Sequence, residues 1–513
     1  MNKLTEHLDH LQKLGLIESG ENEVLLEYVF KHVFTQESLY NSLLYSDRRQ
    51  LHQLVGDILE DSVSANLEDS ALMLAHHFEL AGDRAKALKY LAIAAKHADE
   101  TFANEEAYAL YQRILKLLDE SNHKAQWDTY VELEAILDRL GERDKQASML
   151  TILQTLAELI NDNVCLTVTH QRRAVYFDRI SEYQESEEAA QISLRLARQA
   201  GDSKLTAHSL NLLAQASWRR FQYEDVQAWA NQALDALPIV GEPGIRTTAL
   251  LHLGRASYRL GEYDAALSYI KDALKLTTQT DDRTDEAFCY LILGWIYQRL
   301  GDYDTSEQQF QRDLEIRRAI GDRYGEAEAL SHLGWVAYDQ ADYEKGLHYC
   351  EDALLLSQNI GDRENEAYAL SGMGLAYEGM GQRELAIDCY QQALIRHRAI
   401  NAQTLVMFDL SRLARLALAI NDLPVAYSYT QEVIEWTSQY GAERFWDPWL
   451  IHYNNYQVLQ ANKQTEQAQA ILEEAYTLLQ TRAKRISDME LRKCFLERVA
   501  VNRLISEAWE ASQ

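Results

Sequence analysis

Residues 281–320 read DDRTDEAFCYLILGWIYQRLGDYDTSEQQFQRDLEIRRAI, residues 321–360 read GDRYGEAEALSHLGWVAYDQADYEKGLHYCEDALLLSQNI, and residues 361–400 read GDRENEAYALSGMGLAYEGMGQRELAIDCYQQALIRHRAI. The three segments are equal in length and abut without insertion. A fixed period in this range predicts a stacked helical solenoid in which each unit contacts only its neighbours.

The frame extends in both directions. Counted from Gly201 in steps of forty, the fourteenth place holds Ala174, Ala214, Gly254, Gly294, Gly334, Gly374 and Ala414, and it is always small. The twenty-third holds Tyr183, Tyr223, Tyr263, Tyr303 and Tyr343, then Arg383 and Leu423. The thirty-fourth holds Leu194, Leu234, Leu274, Leu314, Leu354, Leu394 and Ile434. A small residue on a first helix lets a second helix approach closely, and large residues three and four places along fill the remaining gaps. Gly in the recurring Gly-Asp-Arg turns supplies the left-handed residue that ends one helix, and Asp caps the next.

Leu293-Gly294-Trp295-Ile296-Tyr297 and Leu333-Gly334-Trp335 are similar to the tetratricopeptide pattern, with a longer period than that family usually has. The resemblance implies an all-α, right-handed superhelical solenoid of antiparallel helix pairs with a 40-residue period. About nine pairs are expected over 121–482, after degenerate first repeats over 61–120, where helices are expected at Asp69–Ala81, Arg84–His97 and Asn104–Leu118.

Composition agrees with packed helices. The chain has 513 residues, 47 % hydrophobic, with only 4 prolines and 22 glycines. Its formal charge of −29 repels phosphate backbones and anionic lipid, so neither nucleic acid nor membrane is an expected partner. Five scattered cysteines without a CxxC pair read as free thiols of a reducing compartment, hence a cytoplasmic protein.

Residues 1–60 fall outside the frame. Leu4, Leu8, Leu11, Leu14 and Leu16 suggest a short amphipathic helix ending near Gly15, and Asp47 is a candidate N-cap for Arg48–Leu59. The run Glu27-Tyr28-Val29-Phe30-Lys31-His32, with Thr35-Gln36-Glu37, Tyr40 to Leu44, and Arg48, Arg49, Leu51 and His52, resembles the end of the winged-helix segment of bacterial STAND-type signal-transduction NTPases. These regulators are often fused to cyclases, kinases or transcription activators. The resemblance implies a P-loop domain before this segment and a tetratricopeptide sensor after it. No GxxxxGK[ST] occurs, so residues 1–60 are expected to be a small helical winged-helix remnant on a sensor half without its motor. A histidine of that segment can touch nucleotide in the family. Without the P-loop, His32 is expected to pack or cap instead.

Residues 483–513, with Ile486, Leu491, Cys494, Phe495, Val499 and Ile505, are expected to form a last helix that caps the open end of the stack, as in the same family.

Catalytic signatures are absent: there is no HExxH, GxSxG or EF-hand loop, and the adjacent His76 and His77 point apart on a helix. Asp281 with Asp282, or Glu105 with Glu106, answers a helix dipole. No catalytic residue, metal or cofactor is expected. The informative pattern is a ladder at the nineteenth place: Arg179, Arg219, Arg259 and Arg299, ending at Asp339. Arg255, Trp295 and Trp335 at the fifteenth place and Trp218, Tyr258 and Tyr338 at the eighteenth lie on the same side of the first helices. Two readings stay open. The arginines pair with nearby acids such as Glu262 or Asp302, and the aromatics pack between repeats. Alternatively, these ten residues line a concave groove that takes a peptide or a protein partner with acidic groups. The first functional class is therefore a non-catalytic interaction scaffold or sensor in bacterial signalling. A regulatory subunit or fragment of a multi-domain signalling ATPase or cyclase is the second. A DNA-binding role for residues 1–60 is disfavoured by their acidic balance.

Overall fold

The structure, a computed structural model, describes residues 2–19, 28–62, 67–101, 103–238, 240–280 and 282–513. Glu27 and Asp281, which enter the readings above, lie outside them. The chain divides into two compact units, residues 1–172 and 173–513, with the boundary inside the helix Asn163–Arg179.

In the first unit, helix Asn2–Lys13 is followed by an antiparallel strand pair, Ile17–Ser19 with Tyr28–Phe30, in which Ile17 faces Phe30. The sequence reading held only helices here. Each strand is three residues long, too short to show an alternating pattern. Helix Val33–Ser42 starts after His32, which occupies the N-cap position, is exposed, and makes no side-chain cap bond. The imidazole thus neither packs nor caps. Asp47 is not an N-cap, because its helix begins two residues earlier and spans Tyr45–Ser62. Helices Leu67–Ala81, Arg84–Glu100 and Asn104–Leu117 enclose a core in which Phe78 stacks on Tyr90. Lys86 ties this core to the preceding helix through Asp57 and Glu60.

From His123 the described helices alternate as antiparallel pairs, nine in all, ending with Pro448–Ala461 and Thr465–Lys484. The turns follow the local chemistry. Gly321 and Gly361 adopt φ of +72° and +73°, and the following Asp322 and Asp362 accept helix N–H groups from Gly325 and Asn365. The small fourteenth place faces the second helix of its own unit: Gly254 sits under Ile270, Gly294 under Phe310, Gly334 under Cys350 and Gly374 under Tyr390. A Cβ at Gly374 would come within 2.6 Å of the Tyr390 ring. The same contact is reinforced where Ser306 donates to the Gly294 carbonyl at 2.8 Å. Each closely packed large side chain contributes roughly 2–3 kcal/mol by leaving water.

The end of the chain departs from expectation. Residues 483–513 form two helices, Met489–Glu497 and Ala500–Ser512, and they do more than cover the last pair. Phe495 packs between Trp449 and Tyr263, with ring centroids 5.9 and 6.4 Å away. Arg485 donates to the Leu260 carbonyl at 3.0 Å, and the Ser487 N–H donates to Asp264 at 2.8 Å. Gly301, at φ +76°, accommodates the Cys494 carbonyl, which a Cβ there would approach to 2.8 Å. The second unit therefore closes on itself, and residues 173–300 and 449–505 share one hydrophobic core. Buried Asn502 locks the closure, accepting from Trp449 Nε1 at 2.7 Å and donating to the Phe495 carbonyl at 2.8 Å.

Candidate ligand chamber

The first helices of the second unit carry the ladder, and the closure decides what surrounds it. Arg219 meets Asp178 of the preceding first helix through Nε and Nη2 at 3.0 and 3.3 Å, and lies over the Tyr183 ring. Arg259 lies over Tyr223 and donates to the Arg444 carbonyl at 2.7 Å. Arg299 pairs with Asp447 and donates to the Tyr258 hydroxyl at 3.2 Å. The acids that answer the ladder are thus Asp178 and Asp447, and neither is Glu262 or Asp302. At Asp339 the ladder ends, and Arg498 of the C-terminal segment takes the vacant place over Tyr303. Arg255 is stacked on Trp218 at 4.3 Å and donates to Gln215 at 2.5 Å, and burial lowers its guanidinium to about 9. Arg179 is exposed.

Two neighbouring cavities open along the inner faces of these helices. The first, about 240 Å³, is lined by six of the predicted residues, Trp218, Tyr258, Arg259, Trp295, Arg299 and Trp335. The second, about 250 Å³, adds Tyr338 and shares Arg299 and Trp335. Arg255 lines a separate, more open depression, and Arg179 lines none of the three.

Sequence reasoning missed several walls. Glu328, His332, Glu364 and Tyr368 also line the first cavity, and Trp446 belongs to both. Glu328 and Tyr368 sit at the eighth place of their repeats, two helical turns before the fifteenth place and on the same helical face. That offset, repeated across units, is the signal that was available. Trp446 carries no repeat signal, because residues 442–447 lie between two helices.

The aromatic walls are ordered. Tyr258 stacks with Trp295, centroids 6.1 Å apart, and Trp335 with Tyr368 at 4.5 Å and 6°. Trp295 Nε1 donates to His332 at 2.9 Å, which leaves that imidazole neutral; burial, then Arg299, pushes it down to about 3. Burial pushes Glu328 up to about 7, with Asp313 adding repulsion, and pushes Asp339 up to about 6. Burial also raises Asp447 against the attraction of Arg299, while the Arg299 guanidinium, although buried, is held charged by that carboxylate. Among the described residues no group of three potential metal ligands occurs, and no helix is long and apolar enough to cross a membrane.

Residues 246–319 and 325–396 match the tetratricopeptide repeat family, so the chain carries tetratricopeptide repeats. No curated protein matches it in sequence. Among solved structures it is similar to a Signal Transduction ATPase with Numerous Domains (STAND) protein with a tetratricopeptide repeat sensor from Pyrococcus horikoshii, at 15 % identity over 93 % of this chain and 68 % of that one, TM-score 0.48. A Rap protein complexed with Competence and Sporulation Factor is 13 % identical over 76 % of this chain and 99 % of that one, TM-score 0.49. Aspartyl phosphate phosphatase F from Bacillus subtilis is 13 % identical over 66 % and 91 %, TM-score 0.48. The fold assignment rests on the chain's own helix pairs and on the repeat match.

Proposed function

We propose that the chain is a non-catalytic interaction scaffold or sensor in bacterial signalling, and that its second unit takes a peptide or protein partner on the inner faces of its first helices. One observation carries the reading. Six residues chosen from their register, on four successive repeats, converge on a single cavity with ordered aromatic walls. Aromatic and arginine side chains around a concavity are the usual anchors of protein recognition. The full chain, immobilised, tests this in extracts of the native cell. A partner retained by the wild type and lost by Tyr258→Ala with Trp295→Ala, at unchanged helix content, is the expected result. Equal retention by that double variant refutes the chamber.

A second reading is a regulatory part of a signalling ATPase or cyclase whose catalytic half lies elsewhere. It is favoured by the apolar surface of residues 29–58, where Phe34 is 82 %, Tyr45 71 % and Leu44 70 % exposed. Co-purification of a nucleotide-hydrolysing chain, abolished by Phe34→Ser with Leu44→Ser, tests it.

A further inference from the structure

The register suggested a partner with acidic groups, because it showed arginines. In the closed fold Arg299 has a carboxylate partner, whereas Arg259 has none among the described residues and its buried Nε makes no hydrogen bond. Arg299 is matched by Asp447 and by the Tyr258 hydroxyl, and Arg259 by a backbone carbonyl and the faces of Tyr223 and Trp446. Arg412, beside the second cavity, reaches Asp409 at 3.8 Å and lies 4.9 Å from the centre of the Trp335 ring. The carboxylates of the first cavity are different. Neither Glu328 nor Glu364 accepts a side-chain hydrogen bond or forms an ion pair among the described residues. Arg317, the cation nearest in influence to Glu328, is bound to Asp313 and Asp322. His332 is neutral and already accepts from Trp295. Glu328 and Glu364 are two carboxylates against Arg259, the one guanidinium of this cavity without a carboxylate partner, so with both ionised the balance is negative.

Its setting is aromatic. The Tyr258–Trp295 and Trp335–Tyr368 stacks come from four successive first helices, and Glu328 and Glu364 stand on the last two of those. Ring faces are electron-rich and attract a desolvated cation, more strongly in Trp than in Phe or Tyr. Glu328 is half-buried and Glu364 exposed, so the cost of an unpartnered carboxylate falls on Glu328, and a cation placed beside it removes that cost. The space, about 240 Å³, suits a side-chain head and its stem. Stacked flat walls with two carboxylates favour a planar, bidentate donor over a point charge.

We propose that this cavity is a binding site for an organic cation, the guanidinium of an arginine carried on a peptide, with Glu328 and Glu364 as its counter-ions and the Tyr258–Trp295 and Trp335–Tyr368 stacks as its walls. The inference rests on the inner faces being the partner surface, and it replaces the acidic partner suggested by the ladder with a basic one. The neutral state that burial imposes on Glu328 near pH 7 belongs to the empty cavity. The bound cation draws the proton off, against the repulsion of Glu364, Asp313 and Asp322 and with the help of Arg317. Binding therefore tightens as pH rises from 6 to 8.

Calorimetry and tryptophan fluorescence on the full chain test the site with acetyl-Gly-Arg-Gly-amide, its neutral citrulline counterpart, acetyl-Gly-Glu-Gly-amide and spermidine. The arginine peptide is expected to bind, the citrulline peptide about tenfold or more weakly, and Glu328→Gln to lose about tenfold in affinity at an undiminished melting temperature. Spermidine bound in preference, and lost in Glu328→Gln, supports the cation site with a free polyamine as its source. Equal binding of arginine and citrulline peptides, preference for the glutamate peptide, or no binding of any probe to about 1 mM overturns the proposal. If the probes fail while the wild type still captures a partner that the Tyr258→Ala, Trp295→Ala variant loses, the cation site falls and the scaffold reading stands.

Discussion

Arg299 and Asp447 are 148 residues apart in sequence and form an ion pair on the inner wall of the second unit. The Asp447 side chain is 7 % exposed and that of Arg299 24 %, so the pair is largely withdrawn from water. It joins the last rung of the arginine ladder to the segment that closes the stack, and Arg299, like Trp446, lines both cavities.

Removal of one partner leaves the other buried and unanswered. Asp447→Ala is expected to destabilise the second unit by about 3 kcal/mol, while Arg299→Met with Asp447→Leu recovers most of that loss. Denaturant titration of both variants checks the contrast. Equal destabilisation by the single and double changes contradicts it.

Gly294 and Gly321 are both glycines, but for different reasons. Gly294 lies under Phe310 in a helix, whereas Gly321 has φ +72° with nothing within 4 Å of a Cβ. Gly294→Ala is expected to cost about 1–3 kcal/mol by overpacking. Gly321→Ala is expected to cost about 1 kcal/mol by backbone strain alone. Gly294→Val should be worse than Gly294→Ala, while Gly321→Asn should be better tolerated than Gly321→Ala. Melting temperatures of the four variants test the order.

Asn502 is fully buried in the closure and answers both Trp449 and Phe495. Asn502→Leu strands an indole N–H and a carbonyl, at about 2–4 kcal/mol together. Faster amide exchange confined to residues 489–512, with the helices of residues 323–399 unchanged, is the expected signature.

Glu328 makes stability depend on pH in the sense opposite to an ordinary ion pair. Burial raises its folded-state value from 4.5 to about 7. The fold therefore favours the protonated carboxyl, and that contribution is complete below pH 4.5 and lost as pH rises through 7. Glu328→Gln should match the wild type at pH 4.5 and melt higher at pH 8. A melting difference that does not grow with pH counts against a half-buried, unpaired carboxyl. The first unit behaves the other way. Hydrogen bonds from Lys86 and Tyr90 lower Glu60 to about 2, so its contribution is present above 4.5 and lost as pH falls below that value.

The features that were legible are those that depend on residues close in sequence. Gly294 and Phe310 are sixteen residues apart, Trp218 and Tyr223 five, and the Gly-Asp-Arg turns are contiguous. Contacts of that range repeat in every unit, so the period displays them many times over and the helix pairs follow. The residues facing inward were legible for the same reason, since a register position holds its face along the whole stack.

What the amino-acid sequence determined by itself was the helix pair, its glycine contact and the inward face. The tertiary structure alone decided which charges meet. A small rotation between neighbouring units, summed over the pairs from residue 243 to residue 484, returns Asp447, Phe495 and Arg498 to helices that precede them by well over a hundred residues. No single repeat encodes that sum, because each unit specifies only its angle to the next. The ladder's arginines were therefore visible from the start, but their partners, and the two glutamates left without any, emerged only from the curvature.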